Sequence, residues 1–136
     1  MNHSKVISVF LVLAGIIGLY VGISLVFFPV ELQAQSNIVI RNASHFSETR
    51  APGASILSAS ILILIGAFRK GGKYTSLLIT SLFFLSYGIG RLISLFLDGM
   101  PAVGLFYAMI GELFIGVIAL ILLYKTKTSE SYENKV

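Results

Sequence analysis

The sequence predicts an all-α integral membrane protein, a four-helix antiparallel up-down bundle with both termini in the cytoplasm. Three observations predict it. Apolar residues make up 56% of the chain and charged residues only 12%, about half the charge of an ordinary soluble domain. The mean hydropathy is +0.91, and a chain this short cannot hide so much apolar surface in its own core, so lipid has to be the solvent. The apolar residues fall into four runs, each near the ~20 residues that a spanning helix requires.

The first span covers 6–30 and ends at Phe28-Pro29. The second covers 51–68, with Pro52 in the first turn, where a missing N–H leaves no helical bond unmade. The third covers 74–97 and the fourth 102–124. Helices satisfy their own backbone groups in lipid, and no sustained alternation points to a barrel. Residues 1–125 thus form one transmembrane domain, and the polar tail 126–136 is expected to be disordered. Lys5 before an apolar run also fits a secretory signal. The run exceeds an h-region of roughly 7–15 residues, however, and Leu32 is too large for cleavage between Ala34 and Gln35, so the first span is expected to stay.

Orientation follows from the basic residues. Lys5, Arg69, Lys70, Lys73, Lys125, Lys127 and Lys135 share one side of a four-span arrangement, leaving Arg41 and Arg50 on the other. The positive-inside rule makes the richer side cytoplasmic. Tyr74 and Tyr124 stand where interfacial aromatic anchors belong. The short links Arg69-Lys70-Gly71-Gly72-Lys73 and Asp98-Gly99-Met100-Pro101 make successive spans neighbours. The external segment 31–50 mixes polar residues with Ile38-Val39-Ile40, and its Asn42-Ala43-Ser44 sequon carries little weight.

In lipid, helix association depends on small residues and polar contacts. Stripes of such residues are Ala14, Gly18 and Gly22 in span one; Ser55, Ser58 and Gly66 in span two; Ser81 and Gly88 in span three. Gly104, Ala108, Glu112, Gly116 and Ala119 form the stripe of span four. All are expected to face inward, chiefly for packing. A short echo, Ile23-Ser24-Leu25 against Ile93-Ser94-Leu95, repeats with a glycine at the same offset, Gly18 and Gly88.

Two charges stand out because each lies inside a span. Ionisable residues there are costly and mark functional sites by default. Arg91 shares a helical face with Thr80, Phe84, Tyr87, Gly88, Ser94 and Asp98 by the i, i+3, i+4, i+7 rule. At 1.5 Å rise per residue, Arg91 and Glu112 lie roughly 10 and 15 Å below the Asp98–Pro101 turn, close enough to pair. The candidate polar cluster is Arg50, Arg91, Asp98, Glu112, Tyr87 and Tyr107. It either pins the register of spans three and four or binds a small ligand or lipid. Its charges cancel, which suits a zwitterionic or hydrogen-bonding ligand better than a simple ion.

No motif in the sequence points to other chemistries, a serine–histidine–acid triad included. The chain has no cysteine, hence no disulfide, thiolate metal site, iron–sulfur cluster or thiol nucleophile. Its two histidines, His3 and His45, lie outside the spans, so there is no intramembrane bis-histidine haem site. Gly71-Gly72 lacks phosphate-loop spacing. No cofactor, metal or nucleic acid is expected. The expected partners are membrane lipid, a small-molecule ligand, and a second copy or partner subunit. A non-enzymatic membrane protein is the leading reading; a small transporter or proton-coupled carrier acting as an oligomer is the alternative.

The string Arg91-Leu92-Ile93-Ser94-Leu95-Phe96-Leu97-Asp98-Gly99-Met100-Pro101, followed by Glu112, resembles a family of small four-span bacterial membrane proteins. That family is known only as a domain of unknown function. Arg50-Ala51-Pro52-Gly53-Ala54 is similar to its arginine before a small-residue stretch, although Pro52 departs from the pattern. The resemblance implies the four-span fold and a bacterial cytoplasmic membrane. It implies no activity.

Overall fold

The computed structural model describes residues 3–69 and 71–133, except for the side chains of His3 and of 127–133. Among the described residues five helices follow one another: α1 His3–Phe27, α2 Pro29–Ala34, α3 Ala43–Phe68, α4 Lys73–Asp98 and α5 Val103–Glu133. Four of them, all but α2, are long and apolar enough to cross a membrane. Among these, α4 has the lowest mean hydropathy, 1.6, because its polar face carries Arg91. Large apolar side chains cover the outside, with Phe96 80% and Leu97 78% exposed. Such a surface needs lipid against it. This is an integral membrane four-helix bundle.

The second span begins earlier than its hydropathy suggests. Asn42 caps α3 by accepting a hydrogen bond from the His45 N–H at 2.9 Å. That cap satisfies one of the open donors of the first turn, so the helix starts in the polar segment, before residue 51. The expected loop 31–50 is therefore largely helical, and the sequon asparagine serves as a cap. Pro52 lies inside α3, where it removes the bond that its N–H would make to the Glu48 carbonyl.

Helix α1 breaks at Phe28, and Pro29 opens α2 at the position that suits proline. A Schellman closure ends α2. Asn37 is left-handed at φ 60°, with Ile38 N–H bonded to the Gln33 carbonyl and Asn37 N–H to the Ala34 carbonyl. At the other end, α5 continues past Tyr124 as far as Glu133, into the tail expected to be disordered. Extending an existing helix costs far less than nucleating one. Asn134 to Val136 lie outside the described residues, as does Lys70.

Helix α1 packs along α3, and α4 along α5; the two pairs meet mainly through α3 against α4. Glycines set the close approaches. A Cβ on Gly22 would come within 2.7 Å of the Leu57 backbone nitrogen, and one on Gly116 within 2.9 Å of that of Leu85. Gly18 faces Ser60, Gly53 faces Leu25, and Gly88 faces Leu113. Ile7, Leu11, Ile63, Ala67, Leu77 and Ala119 form a buried cluster where all four long helices meet.

Not every small residue faces inward. Ser55 and Ser58 are exposed on α3, their hydroxyls donating to the Ala51 and Ala54 carbonyls at 3.3 and 2.9 Å. A hydroxyl that bonds back to its own helix can face lipid. Gly53 and Ser60 take the buried positions instead, and Gly104 is exposed on α5.

Replacing Gly22 by alanine is expected to destabilise the bundle by roughly 1–3 kcal/mol, because a methyl there strikes backbone. Gly90→Ala, where nothing lies within 4 Å, is expected to be neutral or to stabilise by up to about 1 kcal/mol. Reversible unfolding in mixed detergent micelles measures both.

Candidate functional site

The α4–α5 turn determines which faces of these helices meet. Gly99 adopts φ 95° and ψ −169° at the end of α4, a conformation that needs glycine. Beyond it, the Leu105 and Phe106 amides both bond to the Ala102 carbonyl at 2.9 and 3.1 Å, starting α5. Gly88 and Gly116 then bring the helices close enough for their side chains to touch.

Arg91 and Glu112 form an ion pair. The Arg91 Nε donates to Glu112 Oε2 at 3.0 Å and to Oε1 at 3.2 Å. Their side chains are 32% and 17% exposed, so the carboxylate lies deeper than the guanidinium. Only Nε is engaged. Arginine carries five N–H donors, and the four on the terminal nitrogens have no acceptor among the described residues.

The pair borders a cleft of about 250 Å³ between the two helix pairs. All four long helices line it. Ile17, Val21 and Leu25 come from α1, Ile56, Ser60 and Ile63 from α3, Phe83, Phe84, Tyr87 and Arg91 from α4, and Ala108, Gly111, Glu112 and Ile115 from α5. Ser60 satisfies itself by donating to the Ile56 carbonyl at 2.7 Å. The lining is otherwise almost wholly apolar, with Arg91, Glu112 and Tyr87 as its polar end. Tyr87 also packs against Phe83, with ring centroids 5.2 Å apart. Helices α1 and α5 scarcely approach each other, and Ile17 at the cleft is 47% exposed. The cleft is therefore a gap facing the lipid between α1 and α5.

The structure brings together three of the six sequence-predicted site residues: Tyr87, Arg91 and Glu112. The other three lie elsewhere. Arg50 sits over the Phe46 ring at 5.1 Å on the exposed start of α3. Asp98 accepts a hydrogen bond from Ser94 Oγ at 2.7 Å on the surface of α4. Tyr107 is 67% exposed and meets Phe106 edge-on. The lengthening of α3 explains Arg50, which becomes a surface residue about two turns past the cap. The apolar wall contributed by α1 and α3 was not legible as a site, because its residues are those of any span. Gly18 was the nearest signal, since it fixes how closely α1 meets Ser60.

A family model matches residues 6–123. The chain belongs to this family, described as a domain of unknown function (DUF4345). Neither the curated proteins nor the solved structures include a match to the chain. Among the described residues of this DUF4345 member, no three acidic or histidine side chains gather as a metal-binding group.

Removing one partner leaves the other charge uncompensated in the bundle, which costs 3–5 kcal/mol when fully buried. With Arg91 a third exposed, Arg91→Leu and Glu112→Leu are each expected to cost roughly 1–3 kcal/mol. The double leucine variant is expected to recover most of that loss. Unfolding of the four proteins in a double-mutant cycle measures the coupling.

Proposed function

We propose that this protein holds a small neutral amphiphile, a lipid or lipid-like molecule, in the cleft beside Arg91 and Glu112, without chemical conversion. The observation that carries this reading is the division of the cleft into an apolar wall and one polar end. At that end the Arg91 terminal N–H groups and the Tyr87 hydroxyl have no acceptor among the described residues. Glu112 already balances the guanidinium, so a charged head would gain little. A carbonyl, ester or hydroxyl head would accept those hydrogen bonds while its tail lies along Ile17, Val21 and Ile63. The volume of about 250 Å³ exceeds an apolar cavity that takes a benzene-sized guest and falls short of drug-sized pockets.

The test is direct. Protein purified in mild detergent is expected to retain a neutral amphiphile that mass spectrometry identifies. Gly111 lines the cleft, and a Cβ there would meet nothing within 4 Å. Gly111→Leu is therefore expected to fill the cleft and lower retention at least tenfold, a loss of about 1.4 kcal/mol, with stability kept. Retention unchanged in that variant, or solute flux by wild-type proteoliposomes, would replace holding with another reading, flux pointing to transport.

The setting proposed for this activity is a bacterial cytoplasmic membrane, with an antiparallel up-down bundle and both termini inside. Support comes from contacts that run in opposite chain directions, Gly15 with Leu64 and Gly53 with Leu25, Gly116 with Leu85 and Gly88 with Leu113. The basic residues Lys5, Arg69, Lys73 and Lys125 then share one end, as the positive-inside rule requires. Ser44 is exposed at the start of α3, on the opposite side. On intact cells, Ser44→Cys is expected to react with an impermeant thiol reagent, whereas Lys125→Cys should react only after permeabilisation.

A further inference from the structure

We infer that Arg69, Lys73 and Thr75, beside the α3–α4 turn, bind the phosphate headgroup of an anionic membrane lipid, with an acyl chain against Leu62, Ile65 and Ile79. Two hollows of about 430 Å³ each flank this turn, and Arg69 and Gly71 line both. The first holds Ser4, Ser8 and Lys73; the second holds Thr75 and Ser76 above an apolar floor of Leu62, Ile65 and Ile79. Among the described residues, no carboxylate lines either one. A polar, cationic rim above an apolar groove has the form of a phospholipid site, and basic pockets between spans are where anionic headgroups bind.

Around the turn, Ser8 Oγ donates to the Ala67 carbonyl at 2.9 Å and Ser76 Oγ to the Leu62 carbonyl at 3.4 Å, which leaves Arg69, Lys73 and Thr75 with donors to offer. Arg69 is exposed and makes no ion pair among the described residues. Lys73 Nζ donates to the Ser4 carbonyl and Ser4 Oγ, which fixes its position and leaves one of its three donors. Thr80 and Ser86 bond back to the Ser76 and Leu82 carbonyls at 2.7 and 2.6 Å. The exposed Thr75 hydroxyl has no such partner among the described residues. Beside the groove α3 and α4 meet at backbone distance: a Cβ on Gly66 would come within 2.9 Å of the Gly72 carbonyl oxygen. Leu62 and Ile65 are 54% and 53% exposed, so the groove faces lipid. Charge complementarity selects an anionic headgroup, and the apolar floor selects a lipid over a soluble phosphate.

The test uses the full chain in nanodiscs containing phosphatidylglycerol and phosphatidylcholine of identical acyl chains. Native mass spectrometry reads the lipids retained after ejection. Wild type is expected to retain phosphatidylglycerol preferentially, and Arg69→Gln to lower that retention roughly fivefold, the usual worth of one cation near anionic lipid. Thr75→Val, which removes only the hydroxyl, is expected to lower it by about twofold or more, and serves if Arg69→Gln unfolds. Lys125→Gln, at the same end of the bundle but outside both hollows, is expected to change nothing. Undiminished retention in both groove variants overturns the assignment. So does an equal loss in Lys125→Gln, which would mean a diffuse surface field, or displacement by inorganic phosphate alone, which would mean a soluble anion.

Discussion

Lipid tails are as apolar as leucine, so helices in a membrane gain little by hiding leucine from them. This bundle depends instead on how closely its backbones can approach. Gly22 lets α1 meet the Leu57 backbone, and Gly116 lets α5 meet that of Leu85. The tight contacts therefore fall within the α1–α3 and α4–α5 pairs. The seam between the pairs has fewer such contacts. It is closed near one end of the molecule by Leu11, Ile63 and Leu77, each essentially fully buried. The cleft is the part of the seam that remains open.

That seam is where a charge is least costly. A charged side chain at a helix centre costs about 2.5–3.5 kcal/mol on the insertion scale, and two would strain any span facing lipid. Arg91 and Glu112 avoid most of that by pairing through Nε, although a pair of this kind adds little net stability once desolvation is counted. Register alone would be served by any arrangement that uses the donors. Here the more exposed partner is the one with donors to spare, at the mouth of an apolar gap. Those free donors are the groups that the proposed amphiphile would use.

Much of this was legible in the sequence, and the gaps have physical causes. Four spans follow from hydropathy, because lipid imposes one length and one hydrogen-bonding solution on a crossing segment. The Arg91–Glu112 pair follows from rise per residue on either side of a short turn. Hydropathy does not register a cap, so it starts the second span at residue 51 and not at Ala43, which sets Arg50 at a helix end and not on the helix surface away from the cleft. Asp98 lies outside the cleft lining for a different reason. Ser94 lies one turn earlier and satisfies it locally, at no cost in reach. Small residues on span two gave an ambiguous stripe, since a serine that bonds to its own helix suits lipid as well as protein.

The same closed end bears on what the cleft can do. A conducting pathway must open to both faces of the membrane, in one conformation or in alternation. Beneath the cleft the four long helices converge on an apolar cluster, with Ile63 as both floor of the cleft and part of that cluster. Thr80, Ser76 and Ser81 are buried nearby, and Thr80 and Ser81 donate to carbonyls of their own helix. They form no chain of titrating groups of the kind that proton relays use. A proton leaving Glu112 would find Arg91 beside it and apolar side chains below. With the cleft blind at one end and open sideways to lipid, the proposed amphiphile would enter from the membrane and leave by the same route.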